Sequence, residues 1–99
     1  MKIYQPSDEQ ETQWDEWIGT RPENVARVAR DFNPWTLYEF KETGQKVTLL
    51  SFGEKADGSV VLTVRVSKEH NLACLLERDV FGVSPDNLQV AAHPPWPTP

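Results

Sequence analysis

Two β-type runs set back to back around one turn, between Gln45 and Glu69, restrict this chain more than any other feature. In the first, Val47 and Leu49 alternate with Thr48, Leu50 and Phe52; in the second, Val60, Leu62, Val64 and Val66 alternate with Val61, Thr63, Arg65 and Ser67. A period of two is what a strand with one dry face requires. Between the runs, Lys55-Ala56-Asp57-Gly58 ends in an Asp-Gly pair, which supplies the positive φ of a hairpin turn at little steric cost. The spacing therefore predicts an antiparallel hairpin. A lone hairpin is marginal in water, so the flanking segments must cover its apolar face.

Ahead of the hairpin, residues 1–6 read as an extended lead. Ser7 with Gln10 forms a capping box, and Asp8, Glu9 and Glu11 sit where the helix dipole favours negative charge. Trp14, Trp17 and Ile18 follow at i, i+3 and i+4, and Gly19 is expected as the left-handed residue that ends this first helix. Thr20 with Glu23 offers a second capping box, with Pro22 in the first turn. Val25, Val28, Ala29 and Phe32 then gather on one side of a second helix, and Glu23, Arg27 and Arg30 on the other. Asn33-Pro34 stops it, because the residue before a proline is pushed out of the α region.

Trp35 to Lys41 reads as a strand, with Tyr38 and Phe40 facing one way and Leu37 and Glu39 the other. Glu42-Thr43-Gly44 turns it into the Gln45 run, so a three-stranded meander is expected. From His70 to Glu77 the pattern fits a wide loop or one helical turn. Val80 to Val83 forms a short strand, Ser84 to Asn87 a turn or one turn of 3₁₀ helix, and Leu88 to Val90 a last strand. The fold class that results is α+β: two N-terminal helices packed on a bent antiparallel sheet of four to five strands. One domain spans residues 7–90, between the lead and a proline-rich tail over 91–99. Its core sets Val60, Leu62, Val64 and Val66 against Tyr38, Phe40, Val28 and Phe32. A chain of 99 residues with 38% hydrophobic content can fill one such core and not two.

Net charge is −5, and residues 1–19 set five carboxylates against Lys2 alone. Phosphate backbones are bound by clustered Lys and Arg, so this balance argues against direct nucleic-acid or anionic-membrane binding. No apolar stretch reaches the roughly 18 to 20 residues of a membrane span, and the first residues lack the apolar run of a signal peptide. A cytoplasmic location is the expectation. The single Cys74 agrees with a reducing compartment.

His70 and Cys74, four apart, would share a helix face and could hold a metal or pair as thiolate and base. A closed zinc site takes four ligands, and the other histidine is His93 in the tail, so a half-buried cysteine beside a surface histidine is the better reading. Asp15 and Glu16 flank the tryptophans but point about 100° apart, which rules them out as paired acids on one bond. Gly53, Gly58 and Gly82 are isolated and make no phosphate-cradling loop. Glu23, at i−4 of Arg27, is expected to neutralise part of an Arg27–Arg30 anion site. Trp35 is expected in the core, and Trp14 and Trp17 as the residues that dock the first helix. No catalytic residue, cofactor or metal is expected.

The succession Arg21-Pro22-Glu23-x-Val25, Phe32-x-Pro34-Trp35-x-x-Tyr38, Thr43-Gly44-Gln45-x-Val47, His70-Asn71 and Val80-Phe81-Gly82-Val83-x-Pro85-x-x-Leu88 resembles small uncharacterised proteins of bacteria and their phages or plasmids. The likeness covers roughly residues 14–90 and implies a bacterial or mobile-element origin, without assigning an activity. The order of strands and turns is also similar to small half-open barrels of the Src-homology-3 kind, which bind peptides, nucleic acids or proteins.

Three functions remain open. The first is non-catalytic binding of another protein, through the tail residues Pro95, Trp96 and Pro97 and the acidic residues Asp8, Glu9, Glu11, Asp15 and Glu16. Proline on both sides of Trp96 favours polyproline II, an extended form with little entropy left to lose on docking. The bland alternative is that Trp96 lies on its own domain beside Trp14 or Trp17. The second function is an acidic inhibitor or nucleic-acid mimic. The third is a small enzyme or metal protein using His70 and Cys74.

Overall fold

The computed structural model describes residues 3–71 and 77–91. Its first helix, α1, spans Asp8–Gly19 and starts as its sequence requires. Ser7 Oγ accepts from Gln10 N–H at 3.1 Å, while Gln10 Oε1 accepts from Ser7 N–H at 2.9 Å. Its end differs from the expectation. Gly19 is the last helical residue and Thr20 is a right-handed cap at φ −97°, so no left-handed glycine is used.

The second helix, α2, is shorter than its pattern, Glu23–Ala29, and the Thr20–Glu23 capping box does not form. Thr20 Oγ1 instead donates to Trp17 O at 2.8 Å, which spends the hydroxyl on closing α1. Pro22 caps α2 with its carbonyl, which accepts from Ala26 N–H at 2.9 Å. Well before Asn33-Pro34 the helix tightens: Asp31 N–H bonds to Val28 O, three residues back.

The described strands are β1 (Leu37–Phe40), β2 (Lys46–Glu54), β3 (Val60–Val66), β4 (Arg78–Val83) and β5 (Leu88–Val90). They form one antiparallel sheet in the order β4-β3-β2-β1-β5, with a 3₁₀ turn at Pro85–Asn87 leading into β5. Ser84 Oγ starts that turn by accepting from Asp86 N–H at 3.3 Å. In the β2–β3 hairpin, Gly58 (φ +87°) donates to Lys55 O at 3.0 Å, as its Asp-Gly signal requires. Asn24 Nδ2 of α2 donates to Gly58 O at 2.9 Å and ties the helix to the turn.

Leu62, Val64 and Val66 are buried against Tyr38, Val47, Leu49, Val83 and Leu88, with Val28, Phe32 and Phe40 closing the rim. Val60 is half-buried at the far end of β3. Two departures from plain alternation shape the sheet. Leu49 faces Val64 and Ser51 faces Thr63, so Leu50 is an extra residue that bulges. The shift carries Phe52 to the core face, opposite Leu62, where strict alternation sets it with Leu50. A second irregularity sets Phe81 and Gly82 (φ +69°) beside Thr63 and leaves Phe81 74% exposed. At β1 both faces are covered, since Leu37 and Tyr38 are each buried. Among the described residues no helix is long and apolar enough to cross a membrane.

Candidate functional site

The turn between α2 and β1 sets out one wall of an aromatic cleft. Asn33 Oδ1 accepts from Trp35 N–H at 3.2 Å and from Thr36 Oγ1 at 2.7 Å, while Asn33 N–H donates to the Tyr38 hydroxyl at 2.9 Å. That bonding holds Pro34 and Trp35 outward from the core. Tyr38 is itself buried, and burial raises the pKa of its hydroxyl; the bond from Asn33 partly offsets this.

Helix α1 provides the opposite wall. Ile18 is buried against Ala26 and Ala29, which docks the helix, and Trp14 and Trp17 are left half-buried beside it. The two indoles stack at 5.0 Å between ring centres. Trp14 meets Trp35 edge-on at 5.9 Å, and Phe52 lies 5.7 Å from Trp17. The Arg21 guanidinium sits 5.0 Å over the Trp17 ring, a cation–π contact.

Around this cluster three hollows adjoin, each lined in part by Trp17. One, of about 310 Å³, lies between Tyr4, Trp14, Pro34 and Trp35, with Gln10 and Gln13 at its rim. The next, about 220 Å³, runs between Trp14 and Phe52 past Leu50. The last, about 360 Å³, lies between Trp17, Arg21 and Glu54. Together they form a trough with apolar walls and a few polar edge groups, the usual make-up of a recognition site.

A separate hollow of about 350 Å³ lies at the seam between β4 and the β1–β2 turn, with Phe40 and Val80 as apolar lining and Lys41 and Arg78 as cations. Arg78 is already engaged, donating to Gln45 Oε1 at 3.2 Å.

The residues singled out in the sequence fall on different surfaces. Asp8, Glu9, Asp15 and Glu16 are exposed and Glu11 is half-buried. At about 100° per residue, Asp8, Glu9, Asp15 and Glu16 lie off the arc of Trp14, Trp17 and Ile18, whereas Glu11 falls beside Ile18. Pro95, Trp96 and Pro97 lie outside the described residues, as does Cys74, so neither tail docking nor the His70–Cys74 pair is described. The His70 side chain is 14% exposed, not the surface group expected, and stands 4.0 Å from Glu69. Among the described residues no group of three or more His, Cys, Asp or Glu could hold a metal.

Glu23 pairs with Arg30, at 3.6 Å, and not with Arg27. Trp35, expected in the core, is half-buried on the cleft. Tyr4, Pro34 and Phe52 were not legible as site residues, since their place depends on a lead, a turn and a bulge distant in sequence. The available signal was four tryptophans in so short a chain. No family model matches the chain, and no curated protein or solved structure matches it.

Proposed function

We propose that this chain is a small non-catalytic domain that binds another protein, gripping an extended segment of it in the aromatic trough along α1. The observation that carries this reading is the stacked Trp14–Trp17 pair, left half-buried although Ile18 already docks the helix. Half-covered aromatics offer large contact area at low entropic cost, which is why they dominate binding surfaces. The strand order, with β1 between β2 and β5 and a 3₁₀ turn before β5, supports a half-open barrel of the Src-homology-3 kind. Such a frame positions a site without choosing its ligand. A bacterial or mobile-element source and a cytoplasmic location accompany this reading; the single cysteine supports the latter.

The test is affinity capture from the source cell with the full chain immobilised, followed by mass spectrometry. Tyr4→Ser with Gln13→Arg alters two exposed trough residues and should abolish capture of the partner, while Lys41→Ala at the seam should not. A partner retained equally by both variants refutes the trough as its site.

A second reading, an acidic inhibitor or nucleic-acid mimic, draws on the α1 carboxylates, none of which is in an ion pair with another described residue. It requires capture to weaken steeply with salt and to fail when Asp8, Glu9, Glu11, Asp15 and Glu16 are neutralised.

A further inference from the structure

The trough opens beside the point where β5 leaves the sheet. Ala91 N–H donates to Leu37 O at 2.9 Å, so β5 runs along β1 in the direction of Trp35. Two residues before Leu37, in the turn that leads into β1, stands Trp35 with its carbonyl. That carbonyl is taken: Ile3 N–H donates to it at 2.9 Å. The lead is thereby tied to the turn ahead of β1, the direction in which β5 runs. There Tyr4, 45% exposed, forms the wall of the hollow that Trp14, Pro34 and Trp35 complete.

The sequence beyond Ala91 includes His93-Pro94-Pro95-Trp96-Pro97 and lies outside the described residues. We propose that this segment is the trough's own occupant, with the Trp96 indole set against Tyr4, Trp14 and Trp35. Trp96 is five residue steps beyond Ala91; at about 3.1 Å per residue in polyproline II these span roughly 15 Å. Trp35, two residues before the Leu37 to which Ala91 bonds, is the first of the trough's rings, which follow one another at 5.9 Å and 5.0 Å.

Prolines lack an N–H, so seating them on apolar walls leaves no donor orphaned. The Tyr4 hydroxyl and the Gln10 and Gln13 carboxamides at the rim supply donors for carbonyls of a bound segment. Attachment to the same chain supplies an effective concentration on the order of millimolar, enough for one indole and a few prolines to fill the site. A partner that uses the trough must displace the segment first. The proposal shares its cleft with the function proposed above, and the two fail separately.

The test is proton NMR of the full chain, with the Trp96 indole assigned by comparison with Trp96→Gly. Nuclear Overhauser contacts from that indole to the Tyr4 and Trp35 rings, independent of protein concentration and lost in Tyr4→Ser, are expected. A Trp96 signal at its free-peptide position without such contacts overturns the proposal. Contacts that appear as concentration rises overturn it too, because they assign the segment to a second copy. With the contacts in hand, Trp96→Gly should raise partner affinity about tenfold, if the segment fills the cleft in about nine of ten molecules. Contacts present with partner capture unchanged by Trp96→Gly would uphold the occupant and refute the trough as the partner's site.

Discussion

The side-chain carboxamide of Asn71 pairs with both backbone groups of Lys46. Its Oδ1 accepts from Lys46 N–H at 2.8 Å and its Nδ2 donates to Lys46 O at 2.9 Å. The same Nδ2 donates to Ser67 O, also at 2.9 Å. β3 ends at Val66 opposite Val47, so Asn71 stands in for the strand residue that Lys46 lacks on that side. Lys46 in turn reaches Glu39 on β1 at 3.4 Å, a pair mostly covered from solvent. Asn71→Asp keeps the acceptor, removes both donations and sets a carboxylate against two carbonyls. It should cost about 1–3 kcal/mol in urea unfolding, as broken half-buried hydrogen bonds do. An unchanged midpoint would mean that water replaces the carboxamide at no loss.

Val64 is fully buried at the centre of β3, while its neighbour Arg65 is exposed and bonds Asp79 at 2.9 Å. Val64→Asp places an unpaired charge in the core and should abolish the cooperative thermal transition. Arg65→Asp forfeits a surface ion pair worth about 1 kcal/mol at most and sets two exposed carboxylates opposite each other, a further cost that solvent screens and that leaves the fold intact. Circular dichroism melts compare the two directly, and the reverse order would place the strand one residue out of register.

The bulge at Leu50 makes a prediction that alternation alone would not. Phe52 packs on Trp14 and Trp17, whereas Leu50 is 42% exposed. Phe52→Ser should destabilise by about 3 kcal/mol, in line with large-to-small changes at packed aromatics, and Leu50→Ser by well under about 1 kcal/mol. Similar losses for both would place Leu50 and Phe52 on one face and remove the bulge.

Tyr38 sets the alkaline limit of stability. Burial raises its folded pKa above the unfolded value of about 10, so the unfolded chain loses the phenolic proton first. The stabilisation is therefore complete below about pH 10 and declines as pH rises from there through the folded value. Tyr38→Phe should flatten that limb of the stability–pH curve, at the cost of the bond from Asn33 N–H. A wild-type curve with no decline above about pH 10 would contradict the raised pKa.

How much could be read in advance depends on the range of the forces involved. The hairpin, the Ser7–Gln10 box, the 3₁₀ turn at Pro85 and the β5 run are set by neighbours in sequence, and each stands where its residues predict. One local signal failed because it had a competing local use: Thr20 has one hydroxyl, and closing α1 took it from α2.

The amino-acid sequence by itself determined the α+β class and the apolar set of β3, because a period of two and a capping pair need no distant partner. It could not determine which face Phe52 takes, since that turns on one extra residue in the pairing of β2 with β3. Nor could it show that Asn71 would complete a strand 25 residues away, or that Tyr4, Trp14 and Trp35 would line one trough. Those are matters of tertiary structure: aromatic rings and carboxamides bind whatever the folded backbone brings within reach, and the backbone path is decided by the whole core at once.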